Sequence, residues 1–215
     1  AATVFTVAFE VYFSGGSSGT WYFFAGNGTS FASAQSTGFT GSHVFTGLRF
    51  VYGASSSITT NNRNAAIWNT TGISGTPFAQ DVSYTVSIIG NNSASSVDYG
   101  AGTVAAYKHD LWVNGVLIGD DLAKAELANG TTINAFRFYG ESSTGNVATI
   151  NLDNIRWWNQ AVPPSISSYS TVASFPAGTY SVLNMNSGNA VFAGNVTVNE
   201  LLTLTSGRLT LRANN

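Results

Sequence analysis

Apolar side chains recur at every second position near the start of the chain, where Phe5, Val7, Phe9, Val11 and Phe13 alternate with Thr6, Ala8, Glu10 and Tyr12. A period of two gathers the first set on one face of an extended segment, so a β-strand is predicted over 4–13. Further strand-like runs cover 21–24, 47–52, 83–89, 110–118, 135–139 and 148–158, with turns rich in Gly, Ser, Asn and Thr between them. Inside 110–118, Leu111-Trp112-Val113 meets Val116-Leu117-Ile118 across Asn114-Gly115. Asn-Gly suits the two left-handed positions of a type I′ turn, which predicts a hairpin. Only 121–127, with its Leu, Ala, Lys and Glu, has a helical composition, enough for at most two turns. The pattern is all-β.

The texture changes after Trp158. Ala161-Val162-Pro163-Pro164 and the Ser-rich stretch that follows read as a linker over 161–174. This divides the chain into a β-sandwich over 1–160 and a segment of short, regularly spaced strands over 175–215. Each short strand needs a neighbour, so the segment is expected to be the truncated start of a β-repeat region whose last strand offers an edge for strand addition.

Composition narrows the function classes. Hydrophobic residues make up 44% of the 215 and aromatics 13%, enough apolar surface to offset the entropy of folding. Charged residues supply only 8%, against roughly 25% in ordinary soluble domains, and Ser, Thr, Asn and Gly take their place. A net charge of −2 without a basic run indicates neither a nucleic-acid partner nor an anionic lipid surface. No apolar run approaches a membrane-spanning length. With no cysteine, thiolate chemistry and thiolate metal sites are excluded.

Two segments carry a resemblance: 111–119, Leu-Trp-Val-Asn-Gly-Val-Leu-Ile-Gly, and 148–158, Ala-Thr-Ile-Asn-Leu-Asp-Asn-Ile-Arg-Trp-Trp. Together they resemble the concanavalin A-like (laminin-G-like) jelly-roll superfamily, in which an Asn-Gly hairpin precedes a terminal strand bearing an Asp-Asn pair. The likeness spans about residues 1–160 and implies an antiparallel jelly-roll β-sandwich. The tail, 177–181 and 194–211, is similar to repeats of large secreted proteins of the Bacteroidetes type. That implies a bacterial surface protein or adhesin, located outside the cell.

Glycosidase chemistry requires two carboxylates about 5 to 10 Å apart across a sugar cleft. The glucanases of this fold carry them in an acidic cluster on one strand, and no Glu-x-Asp-x-x-Glu pattern occurs here. Most acids fall at predicted turns, where Asp serves as a turn former. His43 and His109 belong to no nucleophile motif and lack zinc spacing. No enzymatic activity is expected.

Calcium is the metal best matched to carboxylate and carbonyl donors. Glu10 and Asp153 are its candidate ligands: each interrupts a strand, one the first and one the last, and the first and last strands of jelly-roll modules are often neighbours. The other reading leaves both on solvated strand faces. Asp98, Asp120 and Asp121 form a weaker loop set.

Sugar recognition uses flat aromatic faces together with Asn, Gln, Asp or Arg. Trp68, Trp112, Tyr99 and Trp158 are the candidate ligand-binding residues, with Trp68 placed in a loop-like stretch; each competes with a role in the core. The function expected is an extracellular recognition or adhesion module that binds glycan. The alternative is a structural subunit of a fibre, sheath or surface layer whose partners are copies of itself.

Overall fold

Side-chain alternation decides which way each strand faces, and in this chain it builds two antiparallel sheets packed face to face. The computed structural model describes residues 2–28, 31, 41–53, 56–141 and 144–164, and in 166–209 the backbone of six strands. Positions 165 and 168–172 of the expected linker, and 210–215 at the end of the tail, lie outside the described residues.

The chain divides into two compact units, Ala1–Val97 with Val104–Ala161, and Asp98–Thr103 with Val162–Asn215. Among the described residues, thirteen strands precede residue 162: β1 (Val4–Ser14), β2 (Thr20–Gly26), β3 (Val44–Tyr52), β4 (Ser57–Asn64), β5 (Ile67–Asn69), β6 (Phe78–Ala79), β7 (Ser83–Asn91), β8 (Val97–Asp98), β9 (Thr103–Val104), β10 (Lys108–Val113), β11 (Val116–Ala123), β12 (Ala135–Gly140) and β13 (Thr149–Trp158). One sheet runs β11-β10-β7-β1-β13; the other runs β12-β2-β3-β4-β5, with β6 also on β4. First and last strands are neighbours in the five-stranded sheet, where β1 pairs β13 antiparallel. The architecture is an all-β jelly-roll sandwich.

The core is aromatic. Phe5, Val7, Phe9, Val11 and Phe13 of β1 are all buried, as their alternation requires. From the facing sheet come Phe23, Leu48, Phe50, Tyr52 and Ile58. Phe13 meets Phe50 at 5.3 Å and Phe78 at 5.3 Å between ring centroids, and Phe9 meets Phe138 edge-on at 5.1 Å. Tilted and edge-on rings align the positive rim of one with the negative face of the next, which adds to the burial term. Gly90 leaves the space that Phe5 fills, since a Cβ there would fall 2.1 Å from its ring.

The Asn114-Gly115 hairpin forms as expected: both residues take positive φ, 50° and 75°, and Val113 pairs with Val116. The helix expected over 121–127 does not form. Residues 121–123 belong to β11, and beyond them Ala125 N–H donates to the Phe45 carbonyl at 2.7 Å and Leu127 N–H to that of Val44 at 2.8 Å. Pairing with β3 satisfies this backbone across the sandwich, so tertiary context overrides local helix propensity. The chain also holds a strand where no alternation was legible. β4 reads Ser-Ile-Thr-Thr-Asn-Asn-Arg-Asn, and it pairs on both sides.

The second unit has a different grain. Its strands β14 (Ile166–Ser167), β15 (Ala173–Phe175), β16 (Gly178–Met185), β17 (Asn189–Phe192), β18 (Val196–Leu204) and β19 (Arg208–Leu209) pair in parallel, in the orders β14-β16-β18 and β15-β17-β19. Each strand joins the next but one, as Ala173 with Ala190 and Asn189 with Arg208 show. That is the connectivity of stacked coils, in which every turn of chain supplies one strand to each of two sheets.

Phe13 anchors the sandwich from four directions, also meeting Tyr52 and Tyr84. Phe13→Ala is therefore expected to lower the unfolding free energy by about 3–5 kcal/mol. Urea denaturation followed by far-ultraviolet circular dichroism measures it, and a loss below about 1 kcal/mol would contradict this view of the core.

Candidate functional site

The outer face of the six-stranded sheet carries side chains that the core does not need. In β2 the alternation Trp21-Tyr22-Phe23-Phe24 sends Trp21 and Phe23 inward to the core, and Tyr22 and Phe24 outward. In β12 it sends Phe136 and Phe138 inward, leaving Arg137 and Tyr139 on the opposite face, in register with Phe24 and Tyr22. On β3, Arg49 lies opposite Tyr22; on β4, Asn61 lies opposite Arg49; on β5, Trp68 lies opposite Arg63. Five strands thus contribute to one surface. Tyr22, Phe24, Gly41, Arg63, Trp68, Arg137, Tyr139 and Glu141 line a groove of about 300 Å³ on it.

The floor is an aromatic cluster. Tyr22 stacks on Phe24 at 5.7 Å and contacts Tyr139 at 5.9 Å and Trp68 at 5.5 Å. Guanidinium groups lie on these rings: Arg49 is 5.3 Å and Arg63 5.5 Å from the Trp68 centroid, and Arg137 is 5.3 Å from that of Tyr139. Cation–π attraction holds each group over its ring. Asn61 Oδ1 accepts from both Nε and Nη2 of Arg49, at 3.0 and 2.9 Å. Arg63 Nη2 reaches Glu126 Oε2 at 3.4 Å. Gly47 permits this arrangement, because a Cβ there would fall 2.9 Å from Cβ of Arg63. The Tyr22 hydroxyl donates to Glu141 Oε2 at 3.5 Å. Burial, and then the nearby Glu141 charge, push its pKa up, so it stays a neutral donor.

The other sequence-derived candidates are dispersed. Trp68 sits in the short edge strand β5 rather than in a loop. Trp112 and Trp158 are half-buried on β10 and β13, with β7 and β1 between them, in the other sheet. Tyr99 is only 4% exposed and presents no open ring face. Trp157 is stacked between Phe5 at 4.9 Å and Phe136 at 5.7 Å, so it belongs to the packing. A second groove, of about 630 Å³, is lined by Asn27, Gly28, Phe31, Asn134, Ala135, Phe136 and Trp157, with no charged group among the described residues.

Glu10 and Asp153 do stand opposite each other across β1 and β13. No third His, Cys, Asp or Glu joins them among the described residues, and Asp153 Oδ1 already accepts from the Asn154 N–H at 2.7 Å. The acidic cluster lies elsewhere: carboxylate oxygens of Asp110, Asp120 and Asp121 come within 4.8 Å of one another. Asp110, in a strand and fully buried, departs from the expectation that acids mark turns. Its Oδ1 accepts from the Asp121 N–H at 2.8 Å, and Asp121 Oδ1 accepts from the Ala105 N–H at 2.7 Å. Asp121 has φ of 49° where the β10–β11 register shifts, so two of these carboxylates brace a β-bulge.

His109 is fully buried at 6.2 Å from Phe45, and neither ring nitrogen has a hydrogen-bond partner among the described residues. It is a core residue. Burial, reinforced by Lys108, pushes its pKa down to about 3.

Of the residues gathered on this face, the sequence singled out Trp68 but not Tyr22, Phe24, Arg49, Arg63, Arg137 or Tyr139. The available signal was two-sided alternation: in Phe136-Arg137-Phe138-Tyr139 the inward phenylalanines already serve the core, which leaves the outward Arg and Tyr to be explained.

A jelly-roll sandwich with an aromatic and guanidinium groove on the outer face of one sheet is therefore the class that fold and site define. No family model and no curated protein matches the chain. Among solved structures it is similar to the Trypanosoma rangeli sialidase, at 18% identity and a TM-score of 0.45, over 74% of this chain and 21% of that one. It is similar also to the native heptameric SAP-like pentraxin from Limulus polyphemus, at 10% identity and a TM-score of 0.39, over 75% of this chain and 66% of that one. The chain thus spans about a fifth of the sialidase and less than two thirds of the pentraxin. The expectation that the chain has no enzymatic activity is corrected here: a sialidase is an enzyme, so similarity of fold gives no ground for excluding one.

His109 generates a pH dependence. Its folded pKa lies below the unfolded value near 6.5, so the unfolded chain takes up the proton first as pH falls. The stability tied to its neutral form is complete above about pH 6.5 and is lost progressively toward pH 3. Urea unfolding of the wild type is expected to weaken over this window by up to about 1.4 kcal/mol per pH unit more than that of His109→Leu. Parallel pH profiles would contradict this.

Proposed function

We propose that this chain is a glycan-recognition module and that the groove over Tyr22, Phe24, Trp68 and Tyr139 is its binding surface. The observation that carries the reading is the outward aromatic cluster itself. Four rings, from β2, β12 and β5 of one sheet, pack together on the face opposite the core. Apolar faces of sugar rings rest on aromatic surfaces, and planar polar groups beside them take the hydroxyls. Arg49, Asn61, Arg63 and Arg137 border those rings and provide donors in fixed positions. Placement on strands rather than loops limits the ordering entropy that binding must overcome.

In this reading the module works outside the cell, as part of a bacterial surface protein or adhesin. A surface wetted by hydroxyls and amides, with 8% charged residues, supports that setting. The parallel strands that follow have the connectivity of a repeat stalk.

Glycan-array screening of the wild type, followed by titration of the best hit, tests the proposal. Trp68→Ala removes the ring on which two guanidinium groups rest, and is expected to weaken binding by tenfold or more, about 1.4 kcal/mol, with an unchanged circular dichroism spectrum. Full affinity in both Trp68→Ala and Tyr22→Ala would move the site off this sheet.

A further inference from the structure

We infer that the groove selects acidic glycans, those bearing a carboxylate or a sulfate ester on the sugar ring; the inference rests on the glycan-binding reading above. The chain as a whole gives a polyanion no reason to approach, since its net charge is −2 and only eight of its 215 residues are Lys or Arg. Three of those eight, Arg49, Arg63 and Arg137, nevertheless stand on one sheet face, over the rings of a single groove.

Their charges are only partly answered. Glu126 takes Nη2 of Arg63, and Glu141 receives the Tyr22 hydroxyl. Among the described residues neither Arg49 nor Arg137 has a carboxylate partner. Arg49 is oriented instead by the neutral amide of Asn61, which uses two of its five N–H bonds and cancels none of its charge. Arg137 rests on Tyr139. An aromatic ring beneath a guanidinium strips water from one of its faces while leaving its in-plane N–H groups free. Those groups form a planar fork that matches the oxygens of a carboxylate or sulfate. A neutral sugar would leave Arg137 in the groove and Arg49 behind its Trp68 wall unanswered, whereas an anionic one converts them to charge-assisted hydrogen bonds.

The test uses the whole chain and three polysaccharide probes: laminarin (neutral), alginate (carboxylate) and λ-carrageenan (sulfate), each titrated at low and at 0.5 M salt. The expected result is tighter binding of alginate or λ-carrageenan than of laminarin by tenfold or more. Arg137→Gln and Arg49→Gln should each weaken the acidic probes by far more than they weaken laminarin, erasing most of that preference. Arg137→Lys, which keeps the charge and loses the fork, should fall between. Which of the two acidic probes is preferred identifies the anion. Equal affinities for all three probes, unaltered by either Gln variant, would overturn the anion preference and leave the glycan reading standing. Absence of binding to these probes and to a general glycan array would overturn both.

Discussion

The packing of β1 phenylalanines against the facing sheet is the interaction on which the rest of this structure depends. Phe9 is locked against Phe23 and Phe138, and Phe13 against Phe50 and Phe78, so the strands supplying those rings have no freedom of register. A slip by one residue in β2 would bury Tyr22 and expose Phe23, turning the strand inside out. The outward positions of Tyr22, Phe24, Arg137 and Tyr139 therefore follow from the inward positions of their neighbours. The groove is the reverse side of the core, and its rigidity derives from the same packing.

Charge is scarce in this protein, which makes its location informative. In a chain with many Lys and Arg residues, three arginines on one sheet would reflect ordinary solvation of a surface. Here they are three of eight, and each sits over an aromatic ring. The acids show the opposite use: Asp110 and Asp121 are engaged by backbone N–H groups at a bulge, and Asp153 by that of Asn154. Asp110, Asp121 and Asp153 in the five-stranded sheet serve backbone geometry, while Arg63 and Arg137 in the six-stranded sheet line a groove.

What was legible in the sequence was what alternation, the Asn-Gly turn and the resemblance to jelly-roll domains imply. The β1 face, the Asn114-Gly115 hairpin, the adjacency of the first and last strands and the jelly-roll class all appear in the structure as expected. β4 was illegible because its inward positions include Thr60 and Asn62, polar residues that no hydrophobic pattern reveals; Asn62 is held by the Ala123 carbonyl at 2.9 Å. The helix expected over 121–127 failed because propensity says nothing of backbone partners offered by a distant strand. The groove was mostly hidden for a related reason. Period-two reading assigns one face to the core and counts the other as solvent, so an outward Tyr or Arg is noticed only once its strand neighbours are known.

The central claim is that ligand is met on the outer face of the six-stranded sheet. The most direct measurement is a nuclear magnetic resonance titration of the labelled chain with its best glycan, read at the arginine Nε–H and tryptophan indole resonances. Arg49, Arg63, Arg137 and Trp68 are expected to shift together while Trp112, Trp157 and Trp158 stay in place. Shifts concentrated at Trp112 and Trp158, with Arg49, Arg63 and Arg137 unmoved, would place the ligand on the opposite sheet.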